Sequence, residues 1–409
     1  MHICFVTPRF GGGGCGNYLS QLVYGLMNCD QNLRVTVVTT DKVYETIKFD
    51  MDRLRFIKTD VRLSNIGLFP HQLEFGRQAR DIISHISRND SIDVLHVNET
   101  SYGTLLTLGR PIRQVPILMT AHLSVGTEIA RFLEVPTISF GDKFIHCMYH
   151  VSTSFFENYN VRKADRIITV TEGIRQALTK KYPHYAAKFQ TIPNVVDTGI
   201  LLQEKDDLRA REFREFLDPK DDTCLLLYAG SLVARKNLGV LIRATKHLLD
   251  QGNKVKTVLA GDGNKRRELA DLAGTLGTSG NIYMPGNLTH CDVMNLMGAC
   301  DIFVSPSIYE TPSLAILEAM ASGLPVVAAF SPDIPEIIKH EYNGLFFNLT
   351  RNAEQECAKQ ILRLIYEDNV RKKIVENEIS TIKSMDIDAS VEKTLELFYE
   401  SMHKCKVSL

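Results

Sequence analysis

The sequence predicts an α/β protein made of two doubly wound parallel sheets around a cleft. Three observations predict it. The chain has 409 residues, which fits two large domains better than one. Its composition is globular, 44% hydrophobic and 23% charged, enough to bury a large core. Short apolar runs recur between helix-length segments, the alternation of parallel sheets. In the first half the runs are Ile3–Val6, Val35–Thr39, Val94–Val97, Ile117–Thr120, Ile167–Val170 and Phe189–Ile192. In the second they are Cys224–Ala229, Lys256–Ala260, Ile282–Met284, Ile302–Val304, Val326–Ala329 and Gly344–Phe347. The charged stretch 202–222 reads as a connection with an exposed helix. Domains are therefore expected at 1–200 and 201–385, with 386–409 a terminal helix whose Val391, Leu395, Leu397, Phe398 and Met402 have amphipathic spacing.

In chain order, the first run ends in Thr7-Pro8-Arg9-Phe10, followed by Gly11 to Gly14, Cys15 and Gly16. Glycines let backbone amides approach a ligand at a helix start. The spacing fits neither the dinucleotide G-x-G-x-x-G nor a P-loop, and a flexible turn explains the segment equally well. His96 and Asn98 close the third run and His122 the fourth, at the sheet edge where a polar residue either meets ligand or satisfies the core. Between Leu123 and Asn160, Phe132, Phe140, Phe144, Tyr149, Phe155, Phe156 and Tyr159 leave core packing, sugar stacking and contact with a lipid interface all open.

In the second half Tyr228-Ala229-Gly230-Ser231 leads to Arg235-Lys236-Asn237, placing a cationic pair at a strand-to-helix turn. It suits a diphosphate or a solvated helix start equally well. The turn Gly261-Asp262-Gly263 follows the next run. Ser305–Pro325 is the most informative segment. Glu310 lies in a turn signal, and Glu318 lies on a predicted helix from Leu314 to Ala321. Ser313 is placed at its N-cap, Gly323 at its left-handed end, and Pro325 blocks continuation. This turn follows a run of the kind buried in a parallel sheet, so it stands where open α/β sheets bind ligands, and amides at the helix start favour an anion.

The net charge of −1 argues against a nucleic-acid-binding surface, although the first half is mildly basic and the rest mildly acidic. Nine cysteines without a C-x-x-C pair suit free thiols in a reducing compartment. No charged leader and no long apolar window is present, so a soluble cytoplasmic protein is expected. Asp50-Met51-Asp52 and Asp386-Ile387-Asp388 are D-x-D strings away from any clear strand end and are read as chance, with no metal expected.

Taken together the residues resemble the family-4 retaining glycosyltransferases of the GT-B fold, over nearly the whole chain. The strongest match is the E-x7-E motif at Glu310 and Glu318, followed by EAMASGLPVVA. Support comes from Gly13-Gly14, Asp93–His96, the segment ending at His122, Ala164–Glu172, Ile192–Thr198, the Gly261–Gly263 turn and Asn343–Phe347. The resemblance implies that Glu310, with the donor-binding segment Thr311, Pro312, Ser313 and Leu314 and its backbone amides around it, meets the transferred sugar, and that Glu318 meets the ribose. It assigns the diphosphate to Lys236 with Arg235, the donor sugar also to His122, phosphate or acceptor to Gly13 and Gly14, and the base to Gly286 to Leu288. Two departures stand out: Ser231 occupies a place where the family usually has arginine, and Thr311-Pro312-Ser313 replaces a glycine-rich loop.

The resemblance further implies transfer of a hexosyl-type sugar from a UDP- or GDP-sugar to a saccharide, glycolipid or small-molecule hydroxyl. The expected mechanism is front-face substitution without metal or cofactor, and the first domain is a place for peripheral membrane contact. A nucleotide-sugar 2-epimerase of the same fold and a non-catalytic nucleotide-sugar-binding partner protein are the alternatives; Ser231 points toward the second.

Overall fold

The computed structural model describes residues 1–11, 14–40, 52–62, 69–99, 104–112, 114–194, 206–218, 220–311, 313–385 and 387–407, without the side chains of residues 69, 149, 150, 152, 406 and 407. The chain divides into two compact units. One comprises Met1–Ile129, His146–Asn194 and Asp386–Leu409, and the other Ala130–Ile145 and Val195–Met385. Segment 130–145, read from the sequence as part of the first domain, belongs to the second unit because Phe132 and Val135 are buried in that unit's core.

In the first unit, strands β1 (His2–Val6), β2 (Arg34–Thr39), β3 (Leu54–Lys58), β4 (Val94–Val97), β5 (Ile117–Ala121), β6 (Arg166–Thr169) and β7 (Phe189–Thr191) form one parallel sheet. Their order is β3-β2-β1-β4-β5-β6-β7. β3 was not expected. It is an edge strand with a half-open face, so Arg55 and Lys58 interrupt the apolar run that marks strands buried on both sides. Beneath the sheet, Phe5 and His96 meet Phe398 of the terminal helix Ile387–Val407 at ring-centroid distances of 6.3 and 5.6 Å. Gly25 lets that helix approach: a Cβ there would lie 2.5 Å from Val391 Cγ2.

The second unit repeats the design with β8 (Cys224–Ala229), β9 (Val255–Ala260), β10 (Ile282–Gly286), β11 (Ile302–Ser305), β12 (Val326–Ala329) and β13 (Leu345–Phe347). The order is β10-β9-β8-β11-β12-β13, all parallel, the doubly wound arrangement with its switch point between β8 and β11. The helix in the charged stretch is Asp207–Leu217, mostly exposed but tied to the core side by a hydrogen bond from the Asp206 amide to Asn295.

Three loops at the strands' carboxyl ends are joined backbone to backbone. The Gly230 amide donates to Ala260 O at 2.9 Å, Leu232 to Asp262 O at 3.0 Å, Lys265 to Leu232 O at 2.9 Å, and Gly261 to Gly286 O at 2.9 Å. Such packing leaves no room for a side chain. A Cβ on Gly261 would stand 2.0 Å from Gly230 O, and one on Gly263 2.3 Å from Leu232 O; Gly261 also has φ +137. Gly261→Ala is therefore expected to destabilise the protein by about 2–4 kcal/mol, seen as a lower midpoint in denaturant with the slope unchanged. A midpoint equal to the parent's would contradict this account of the turn.

Candidate functional site

β8 and β11 are neighbours whose connections leave in opposite directions, so the loops that follow them flank the switch point. After β8, Gly230 takes φ +148, Ser231 is exposed, and Ala234–Lys236 forms one 3-10 turn. Asn237 then adopts the left-handed conformation at φ 50, which asparagine tolerates, and the helix Leu238–Asp250 begins behind it. Arg235 and Lys236 thus sit in the strand-to-helix turn, ahead of the helix and not at a solvated helix start. Pairing with the neighbouring loop is the reason: the Ile308 amide donates to Arg235 O at 2.9 Å.

That neighbouring loop carries Glu310. Lys236 Nζ donates to both of its carboxylate oxygens, at 2.8 and 2.5 Å, and the two side chains are only 10% and 9% exposed. Burial opposes the charge on Glu310. The charges of Lys236 and Arg235, with hydrogen bonds from Lys236 and Ser307, outweigh it and hold the carboxyl below its ordinary range. Ser331 Oγ fixes the loop from the far side by donating to Glu310 O at 3.2 Å. The result is an ionised carboxylate and an ammonium held together at the sheet's ligand-binding edge.

Helix Leu314–Ala321 follows, as the sequence predicts, and ends through Gly323 at φ +71. Ser313 occupies the N-cap with φ −71 and ψ 124, but its side chain makes no cap hydrogen bond, so no hydroxyl closes the first turn. Thr311 is half-buried and Leu314 buried; Pro312 lies outside the described residues. Glu318 is buried on the helix and accepts a hydrogen bond from His290 Nε2 at 2.9 Å. His290 begins the helix His290–Ala299, whose N-cap Thr289 accepts from the Asp292 amide. Gly286, at φ +87, and half-buried Leu288 stand on the loop that delivers His290 to Glu318. In this unit the structure brings together Lys236 with Glu310, and Glu318 with the loop carrying Gly286 and Leu288.

The first unit has its own switch point, between β1 and β4. Gly14 opens the helix Gly14–Cys29, and a Cβ there would meet nothing within 4 Å; Gly13 lies outside the described residues. Gly16 is the glycine that sterics demand, since a Cβ would stand 2.6 Å from Gly11 O. His122 follows β5 and is buried. Asn98 Nδ2 donates to Cys15 O at 3.0 Å, which turns the amide oxygen toward His122 Nε2, also at 3.0 Å. The imidazole therefore carries its proton on Nε2. Burial pushes His122 down to about 3, so it is neutral at physiological pH. His96 instead points into the core, bonded to Thr120 Oγ1 at 2.8 Å.

Two residues escaped the sequence reading. His290 gave no signal because its partner is 28 positions away. Glu99, one position past Asn98, has φ 156 and an Oε2 without a hydrogen-bond partner among the described residues. Burial raises its carboxyl to about 7, against a hydrogen bond from Cys15 and the charge of Arg9.

Comparison with known proteins matches each half of the chain. Residues 209–381 fit the model of glycosyl transferases group 1, and residues 12–199 fit that of glycosyltransferase family 4. An uncharacterized glycosyltransferase of Methanocaldococcus jannaschii is 29% identical over 293 residues, 70% of either chain. The alpha-monoglucosyldiacylglycerol synthase of Streptococcus pneumoniae is 27% identical over 256 residues, 59% of this chain and 56% of that protein. Among solved structures, Anabaena HepE in complex with UDP and glucose superposes with a TM-score of 0.72 at 18% identity, covering 98% of this chain and 99% of that one. Sucrose-phosphate synthase from Thermosynechococcus elongatus gives 0.76 at 19% identity, with 98% and 99% covered. These likenesses establish the two-domain fold in which the switch-point loops sit. With a family model on either half and that fold throughout, the chain belongs to the GT-B glycosyltransferases, of family 4 in its first half and group 1 in its second.

Proposed function

We propose that the protein is a retaining transferase that moves a hexosyl-type sugar from a UDP- or GDP-sugar to an acceptor hydroxyl. The observation that carries this reading is the buried Lys236–Glu310 pair at the switch point of the second unit. An ammonium there neutralises a diphosphate both before and after the bond to the sugar breaks, and an ionised carboxylate accepts hydrogen bonds from sugar hydroxyls. Glu318, held by His290, accepts from the ribose in the same way. The nucleotide bound by HepE of Anabaena, UDP, supports a nucleotide-sugar donor.

Front-face substitution assigns the chemistry to the donor itself. The bond from C1 to the acceptor oxygen forms as the bond from C1 to the diphosphate oxygen breaks. The acceptor proton passes to the departing diphosphate, so no protein nucleophile enters. Lys236 and Arg235 stabilise charge on the leaving group, and Glu310 orients the sugar. In this reading no metal takes part. Acceptors of saccharide, lipid-linked and small-molecule type all fit it.

A panel of nucleotide sugars tests the reading directly. Release of UDP or GDP is expected to require an acceptor and to persist in chelator. A new nucleotide sugar without acceptor would indicate an epimerase, and binding without turnover a non-catalytic protein; either overturns the proposal.

Glu310→Gln tests the site. It preserves volume and an acceptor for Lys236, whereas Glu310→Ala would take the carboxylate away from a buried ammonium, a loss of about 3–5 kcal/mol that confuses folding with catalysis. At a temperature where both proteins are folded, Glu310→Gln is expected to lower kcat by about 10²–10³-fold. Parental turnover would remove Glu310 from the site.

The same pair fixes the direction of a pH dependence. Glu310 is depressed when folded, so its contribution is fully present above the unfolded value near ~4.3 and is lost as the pH falls through the folded one. Thermal midpoints are expected to hold from neutrality down to about pH 5 and to fall below about pH 4. In Glu310→Gln that fall is expected to be shallower, and an identical acid profile in both proteins would contradict the assignment.

A further inference from the structure

Glu99 is a residue that packing does not explain. It follows β4 at the carboxyl edge of the first unit's sheet, beside the switch point between β1 and β4. The Asn98 amide donates to Val6 O and the Glu99 amide to Val97 O, both at 3.0 Å, and between these bonds the backbone of Glu99 is fixed at φ 156. Residues with a side chain rarely adopt that conformation, and a glycine would take it without strain. The residue is half-buried, but its Oε2 is shielded from water and has no hydrogen-bond partner among the described residues. A strained backbone and an unpaired carboxyl oxygen both oppose folding, and no contact within the unit offsets them.

The donors around Glu99 are committed. Cys15, the second residue of the helix Gly14–Cys29, donates its thiol to the carboxyl. The Asn98 amide donates to Cys15 O, and His122 Nε2 donates to Asn98 Oδ1. Tyr18, edge-on to His122 with ring centroids 4.9 Å apart, is hydrogen-bonded to Thr120. What remains at this edge is a pair of acceptors, Glu99 Oε2 and the His122 Nδ1 lone pair. The carboxyl also stands at the first turn of the helix, where the amides favour an anion, and the charge of Arg9 acts on it. In its ionised form Glu99 is itself that anion, so a phosphate entering the same place meets a like charge.

We propose that Glu99 receives a hydroxyl of the acceptor and selects an unphosphorylated sugar over its phosphate ester. A sugar hydroxyl brings Oε2 the hydrogen it lacks, whereas a phosphate brings further acceptors and a like charge. A site built to hydrogen-bond a hydroxyl discriminates strongly, because a ligand without one leaves the buried oxygen unpaired. The inference rests on the transferase reading of the second unit's site. Within that reading Glu99 binds and orients the acceptor, and the reacting proton still passes to the departing diphosphate.

The test is acceptor-dependent release of UDP or GDP by the full chain, with glucose, mannose, galactose and their octyl glycosides each set against the corresponding 6-phosphate. The unphosphorylated sugars are expected to be used with a kcat/KM at least about tenfold higher. Glu99→Gln is expected to raise the acceptor KM about tenfold with the donor KM unchanged. Glu99→Gly, which relieves the strained φ, is expected to raise it at least as much while the thermal midpoint does not fall, a combination that a merely structural role does not give. Saturation-transfer NMR with the same sugars and no donor separates this inference from the transferase reading. Sugar binding that Glu99→Gln weakens, in a protein that turns over no donor, upholds the inference and overturns the transferase. A parental acceptor KM in both variants, or 6-phosphates used as well as the free sugars, overturns the inference and leaves the transferase standing. Failure to use and to bind every unphosphorylated sugar overturns it as well.

Discussion

The second unit's ligand edge depends on one interaction, the ion pair between Lys236 and Glu310. Burial disfavours the charge on either group, because removing an isolated ion from water costs several kcal/mol. Their mutual attraction and the hydrogen bonds around them repay that cost locally, which is why the Glu310 carboxyl stays ionised despite burial. The pair also ties together two loops that the topology sends apart. β8 and β11 lie side by side, yet their connections diverge, and a crevice between diverging loops would be loose without a strong contact across it. The backbone bond from the Ile308 amide to Arg235 O adds a second tie, and the Ser331 hydroxyl, donating to Glu310 O, joins the second of these loops to the one after β12.

Much of this was legible in the sequence, for identifiable reasons. Strands buried on both faces are written as unbroken apolar runs, so every expected strand is present to within a residue or two at its ends. β3 broke the rule because an edge strand needs only one apolar face. Glu310 and Glu318 were legible because a turn signal changes to a helix signal between them. The 3-10 turn at Lys236 was not, since it is stabilised by Ile308, seventy-odd positions downstream, and local pattern carries no trace of that. The aromatics of 132–159 show the same limit. Spacing announced a cluster, but only packing decides that Phe132 and Phe156 turn inward while Phe140, Phe144 and Phe155 face water.

The glycines divide along similar lines. Gly261 and Gly263 look like a motif for ligand approach, and their environment supplies a nearer cause: the backbone of residues 230–232 already occupies the space a side chain would take. Loops built from stacked backbone are rigid and present carbonyls and amides at their rim, so a base recognised there leaves no characteristic side chain in the sequence. Thr311 and Ser313, by contrast, place side chains where the sequence family usually has glycine, and in the proposed site these would shape its sugar end.

His122 illustrates how burial restricts a role. A histidine at the ligand edge of a sheet invites the idea of a cation, but desolvation keeps this one neutral far below physiological pH. Its Nε2 proton is committed to Asn98, whose own amide is held by Cys15 O. What the ring has left to offer a ligand is the Nδ1 lone pair, an acceptor suited to a hydroxyl and unsuited to a phosphate oxygen. In the proposed reaction, positive charge for the leaving group is assigned to Lys236 and Arg235, and the exposed Ser231 beside them adds none. Under that assignment both cations come from one 3-10 turn, and losing either would leave the other to neutralise the diphosphate while still balancing Glu310.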